Sequence, residues 1–397
     1  MNKMNKLTFV LGAFLLFGYG CAPEAQNQPN NNNNDIDMEP KELNSEYESM
    51  LLTRVAEFEH PWSVAFKPDG RKLVTERPGR LNLVTEDGSV TEVTGLPEIA
   101  ANGQGGLMEV SLHPEYEDNG WVYLTYSKPG DDENTATALA RGQLEGEELV
   151  NVEDIFVQNE FSGPGRHYGS RLAWTNDGYL LMSIGDRGAD PPRAQDKNDH
   201  AGTLLRLNDD GSAASDNPFV GDDNALDEIY SYGLRNVQGL VVDPETNEIW
   251  VTEHGPRGGD ELNYIEPGLN YGWPVATLGL DYRTEEEFPH AESRRKDGME
   301  DPVYELLPTL APSGLALITA DNFPNWEGNL LAGGLRAERI RRLVIGEYEG
   351  QYEVFHDEEL LLQEIGRIRD VREGPNGNIY VLTDHSDGGL YRIEPRD

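Results

Sequence analysis

The sequence predicts an all-β protein built as a six-bladed β-propeller. Two observations carry that prediction. Helical periodicity is scarce, whereas short alternating or β-branched runs bounded by Gly, Pro, Asn and Asp are frequent, the signature of strands and tight turns. One unit also recurs along the body of the chain: an apolar run, a turn, and a second apolar run, which reads as a β-hairpin.

The units come in order as SVAFKPDGRKLVTE (63–76), EVSLHPEYEDNGWVYLTYS (109–127) and RLAWTNDGYLLMSIGD (171–186). They continue as GLVVDPETNEIWVTEHG (239–255), an altered FPNWEGNLLAGGL (323–335), and DVREGPNGNIYVLTD (370–384). Their starts lie about 45 to 85 residues apart, so each unit carries its own insertions around a four-strand repeat. The last apolar run, GLYRIEP (389–395), and an early one, LLTRVAEF (51–58), are placed to close the ring. A β-sandwich is the alternative, and the sixfold turn motif disfavours it.

Ahead of the propeller, residues 1–20 read as an export signal. Lys3 and Lys6 precede LTFVLGAFLLFGYG (7–20), an apolar run that is short of the roughly 20 residues a spanning helix needs. Cys21, the single cysteine of the chain, follows Gly20 and resembles the lipidation site of bacterial lipoproteins. From Cys21 to residue 50 the composition is polar, with five consecutive asparagines, and predicts a disordered tether ahead of a propeller domain at 51–397. The expected location is therefore outside the cytoplasm, periplasm-facing or on the outer surface, with the lipid anchor as the only membrane contact.

Net charge is −40, from 32 basic against 72 acidic residues, and the acids are spread along the chain. Nucleic acid is excluded as a partner, because phosphate binding needs basic patches. Dispersed acidity keeps a protein soluble and is read here as a mark of habitat.

The connectors between units gather an unusual set of polar residues: Gln104, His167, Asp186, Arg235, Asn236, Arg336, Arg367 and Arg369. A cluster of arginines held inside an anionic molecule suits a small anionic cofactor or substrate, since guanidinium forks bind carboxylates bidentately. The loop EHGPRGGDELNYIEPGLNYGWP (253–274) follows a strand and is too rich in Gly and Pro to be regular. Its carbonyls and its acids Asp260 and Glu261 suit a hard cation as well as they suit a capped surface loop. No zinc motif, P-loop, dinucleotide fingerprint or nucleophile elbow is present.

With these motifs in order (HPWSVAF, GQGGL, GRHYGSRLAW, SIGDRG, AQDKNDHAGTLLRLNDDGS, EIYSYGLRNVQGL, EHGPRGGDELN, NYGWP, APSGLAL, GRIRDV), the chain resembles the soluble glucose and aldose sugar dehydrogenases over about residues 55–395. These are quinoproteins that use pyrroloquinoline quinone (PQQ) and calcium. The resemblance implies a six-bladed propeller and oxidation of an aldose at its C1 hydroxyl to the lactone, with electrons passed to an external acceptor. It matches His167 to the general base, Asp186 to the acid that orients it, and Arg235 and Asn236 to the pair beside the quinone oxygens. It matches Gln104, Thr309, Arg336, Arg367 and Arg369 to other cofactor contacts. Gly255 and Pro256 match the carbonyls that hold the cofactor's calcium, and Glu261 and Tyr271 a second calcium site. Leu307 stands where some relatives place a tryptophan against the cofactor, and Arg336 where some place a lysine. A relative acting on sorbosone or another aldehyde, and a cofactor-free propeller that binds glycans or proteins, stay open as alternatives. The assembly is expected to be a monomer or a homodimer.

Overall fold

A computed structural model describes residues 39–163 and 165–396. Among the described residues, twenty-five strands form six antiparallel sheets arranged as blades. Blade 1 runs from its innermost strand outward as Pro61–Phe66, Lys72–Glu76, Arg80–Val84 and Val90–Val93. The next four blades begin at innermost strands Leu107–Leu112, Leu172–Trp174, Val237–Val242 and Pro312–Leu317. Blade 6 begins at Ile368–Glu373. The strands are short because each blade turns back through a tight loop, as at Lys67–Arg71, where the Gly70 φ of +85° is one that glycine adopts without strain.

The ring closes where Ser49–Phe58 pairs antiparallel with Gly388–Pro395, the two segments expected for that role. The ordered body begins earlier than expected, however. Lys41–Asn44 pairs with Ser49–Leu52 and adds a fifth strand to blade 6, so the tether stops short of residue 50. The polar KELN run carries no strand pattern of its own; it is ordered by pairing with the edge of a formed sheet. The export signal, Cys21 and the asparagine run lie outside the described residues. Among those described, no helix is long and apolar enough to cross a membrane.

The fifth unit also needs correction. FPNWEG is the connector of its hairpin, not the first strand, which lies upstream at Pro312–Leu317 and pairs with Leu330–Gly334. Phe323 and Trp326 are buried and stacked, so the connector reads as apolar although it is a loop.

Apolar side chains fill the seams between neighbouring blades. Leu73, Leu81 and Leu107 close the seam of blades 1 and 2, and Ile340, Ile368 and Ile379 that of blades 5 and 6. Each such side chain, taken out of water, contributes about 1.5–3 kcal/mol.

Along the axis the innermost strands bring polar side chains together instead. Arg171 pairs with Glu109 (3.0 Å) and Asp370 (2.8 Å), and Arg372 pairs with the same two carboxylates at 2.8 and 3.1 Å. Buried charges are tolerable only with this mutual pairing. Arg171 also donates to the carbonyls of Gln238 (2.6 Å) and Arg369 (3.0 Å). The cluster is thus a floor to which two strands carrying site residues are tied.

Candidate active site

Strand direction dictates where the candidates meet. In an antiparallel blade the start of the innermost strand and the end of the second strand lie at one rim. Gln104, His167, Asn236 and Arg367 all precede innermost strands, whereas Asp186, His254 and Asp384 follow second strands ending at Ile184, Glu253 and Thr383. Residues far apart in sequence therefore converge over one end of the channel.

They line two adjoining cavities. The larger, of about 510 Å³, is walled by Gln104, His167, Asp186, Arg235, Asn236 and Trp273, among others. The smaller, of about 100 Å³, has Gln104, Asn236 and His254 in common with it and adds Arg367, Arg369 and Asp384. Their combined size suits a planar cofactor with a sugar beside it.

At the centre His167 Nδ1 lies 2.6 Å from Asp186 Oδ1. The His167 backbone is held at φ 52°, with its N–H donating to Gln104 Oε1 (2.8 Å). Gly185 makes this possible: a Cβ there would stand 2.1 Å from the His167 carbonyl oxygen. Asp186 is fully buried and accepts from the Gly188 N–H (2.8 Å) and from Trp273 Nε1 (2.8 Å) as well. Burial and the charge of Arg235 hold the imidazole below its ordinary pKa, outweighing Asp186. Burial raises the Asp186 carboxyl, but His167, Arg235 and the Trp273 indole more than offset it, leaving the group below the usual carboxylate range. The pair at neutral pH is a neutral imidazole against a carboxylate. Because Asp186 accepts at Nδ1–H, Nε2 carries the free lone pair.

Positive charge lines the rest. Arg235 donates through Nη1 to the His254 carbonyl (2.9 Å) and Arg166 through Nη2 to the Gly188 carbonyl (2.6 Å), so both charges meet carbonyls in these bonds. Arg367 and Arg369 share Asp384 Oδ2 at 3.0 and 3.2 Å, two cations on one carboxylate oxygen. Three buried nitrogens of these cavity residues, Arg235 Nε, Arg369 Nε and His254 Nε2, have no hydrogen-bond partner. Burial and Arg235 push His254 down to about 3, so its ring is neutral. The two unpartnered guanidinium N–H groups call for an acceptor, and an anionic planar group with several carboxylates supplies it.

Below Arg235, Glu253 and Glu261 face each other across paired strands. Burial pushes Glu253 up to about 7 against the Arg235 backbone N–H that it accepts, and burial with the Glu253 charge pushes Glu261 well above the carboxylate range. A space of about 10 Å³ opens beside them, lined also by Gly255 and Tyr271, room for about one ion or water. Two facing carboxylates, Glu253 buried and Glu261 half-buried, without a paired cation fit a hard divalent ion.

The placement is not complete. The Gly255 carbonyl accepts from Tyr282 Oη (3.4 Å), and that of Pro256 accepts from the Gly259 N–H (2.8 Å). The Tyr271 hydroxyl is committed to the Tyr264 carbonyl and the Glu266 N–H, and its own N–H to the Tyr232 carbonyl, which leaves its backbone carbonyl as the atom open to an ion. Thr309 and Arg336 line neither cavity; Arg336 is exposed on the rim, where its charge reaches Tyr282. Leu307, also exposed, lines neither. Sequence reasoning missed Trp273, His254, Glu253 and Asp384. His254 and Asp384 directly follow second strands, the signal of the strand-end rule above, whereas Glu253 and Trp273 take their significance from partners on other segments.

A family model for glucose/sorbosone dehydrogenase matches residues 58–392. The chain is 39% identical over 344 residues to the aldose sugar dehydrogenase YliI of Escherichia coli, covering 85% of this chain and 91% of that protein. It is 27% identical over 405 residues to quinoprotein glucose dehydrogenase B of Acinetobacter calcoaceticus, covering 82% and 83%. The PQQ-bound aldose sugar dehydrogenase of Streptomyces coelicolor superposes with a TM-score of 0.71 at 29% identity, covering 86% and 96%. With the six blades and the converging rim residues, these matches establish that the chain belongs to the glucose/sorbosone dehydrogenase family.

Proposed function

We propose that the protein oxidises an aldose at its C1 hydroxyl to the lactone, using PQQ and calcium and passing electrons to an external acceptor. The observation that carries this reading is the His167–Asp186 pair, a neutral imidazole with its acceptor nitrogen free, opening on a cavity walled by arginine. PQQ, when bound, supplies the two-electron acceptor for the C1 hydride, with calcium as the Lewis acid that polarises it.

The chain supplies the rest. His167 Nε2 takes the hydroxyl proton, and Asp186 stabilises the imidazolium that forms. The Arg235 guanidinium stabilises negative charge developing beside it. Gln104, Asn236, Arg367 and Arg369 would hold the cofactor, and its carboxylates would satisfy the unpartnered guanidinium nitrogens. Gly255 and Pro256 would present carbonyls to the cofactor's calcium, and Glu261, with Glu253, would hold a second ion.

The acid pair gives a test that needs no turnover. Both carboxyls are raised in the folded state, so the metal-free protein should lose stability as pH rises from the ordinary glutamate range through about 7 for Glu253. Calcium should relieve that loss. Its stabilisation, read as a rise in Tm, should be larger at pH 8 than at pH 5, by about 1.4 kcal/mol of unfolding free energy per unit of pKa lowered on binding. An equal calcium effect at both pH values would count against a carboxylate-held ion.

A further inference from the structure

Trp273 makes contacts that cavity lining does not require. Its indole Nε1 donates to Asp186 Oδ2 at 2.8 Å, while Asp186 Oδ1 serves His167 and the Gly188 N–H. Its backbone is pinned on both sides, the N–H to the Gly233 carbonyl (2.8 Å) and the carbonyl to Gln195 Nε2 (2.7 Å). The ring, 5% exposed, lies under the Arg235 guanidinium (5.0 Å) and against Phe288 (4.7 Å). A carboxylate held through one oxygen can rotate and carry its imidazole with it. A second donor on the other oxygen fixes the plane. Indole is donor-only and does not titrate, so it can never compete with His167 for the acceptor role.

We infer that Trp273 is a positioning residue for the sugar oxidation proposed above: its N–H locks the Asp186 carboxylate, and through it the His167 ring, in the orientation that aims Nε2 at the substrate. Outer-sphere donors of this kind matter because they orient the group that reacts.

Trp273→Phe removes the donor and keeps an aromatic ring. In the reconstituted enzyme, kcat should fall about tenfold with sugar KM and PQQ affinity within about twofold of the parent. The acid limb of the kcat profile should move to higher pH, because a less neutralised carboxylate favours the imidazolium. Arg235, Arg166, Arg187, Glu253 and His254 also face the pair, and they are unchanged in this variant. An unshifted limb with parental kcat overturns the inference, as does loss of PQQ binding alone, which would make Trp273 a wall of the cofactor pocket. A second measurement covers a variant that does not fold and a protein that does not oxidise sugars. In the ¹⁵N-labelled cofactor-free protein, Asp186→Asn should displace one of the six tryptophan indole N–H signals. If none of the six moves, the hydrogen bond is absent and the inference fails, whatever the activity.

Discussion

His167→Ala lowers the rate of reduction of bound PQQ by sugar roughly 10²–10⁴-fold, the usual worth of a positioned base. PQQ affinity stays near the parent value, because the arginines of the smaller cavity and the residues proposed to hold calcium are untouched. Asp186→Asn gives a smaller loss: the amide still contacts the imidazole but can present its NH₂ and favour the wrong tautomer. Stopped-flow reduction under excess sugar reads both. A parental rate in His167→Ala sinks the assignment of the base even though the family membership stands.

Arg235→Ala produces the second large effect, for two reasons that add. The guanidinium is the cation that acts most strongly on the His167 imidazole, and removing a preorganised donor of that kind costs roughly 10²–10³ in kcat. Its charge also holds the His167 imidazole down. Without it the imidazole pKa rises, a larger fraction is protonated at a given pH, and the acid limb of kcat moves to higher pH. Cofactor affinity falls less than the rate, since Arg367 and Arg369 remain. Measuring kcat against pH at saturating PQQ checks this; a limb that stays in place contradicts the electrostatic coupling.

Six blades were legible because each first hairpin carries its own turn chemistry. PDG, TNDG and GPNG each mark a turn between two alternating runs, and local signals of that kind survive any insertion elsewhere. What failed was non-local. KELN becomes a strand only because blade 6 offers an edge, and the FPNWEG connector looks like a strand because its aromatics are buried against a seam.

The site shows the same division. His167, Asp186, Arg235, Asn236, Gln104, Arg367 and Arg369 could be collected as odd polar residues on connectors, and the structure brings all seven to one rim. Glu253 could not. It ends an unremarkable strand, and its significance comes from facing Glu261 across the ladder, a pairing no single strand reveals. Trp273 likewise gains meaning only when blades 3 and 4 place its N–H against Asp186. Arg336, collected in the same way, and Thr309, carried over by resemblance alone, lie outside the cavities.

The rim is proposed to oxidise sugars with PQQ as the electron acceptor. The direct measurement is to add PQQ and calcium to purified metal-free protein, then follow the quinone absorbance as individual aldoses are mixed in, with a dye acceptor to complete turnover. The expected result is saturable PQQ binding that requires calcium, bleaching of the bound quinone by at least one aldose, and recovery on adding the dye. Binding without bleaching by any aldose, or bleaching by an aldehyde such as sorbosone alone, would contradict it.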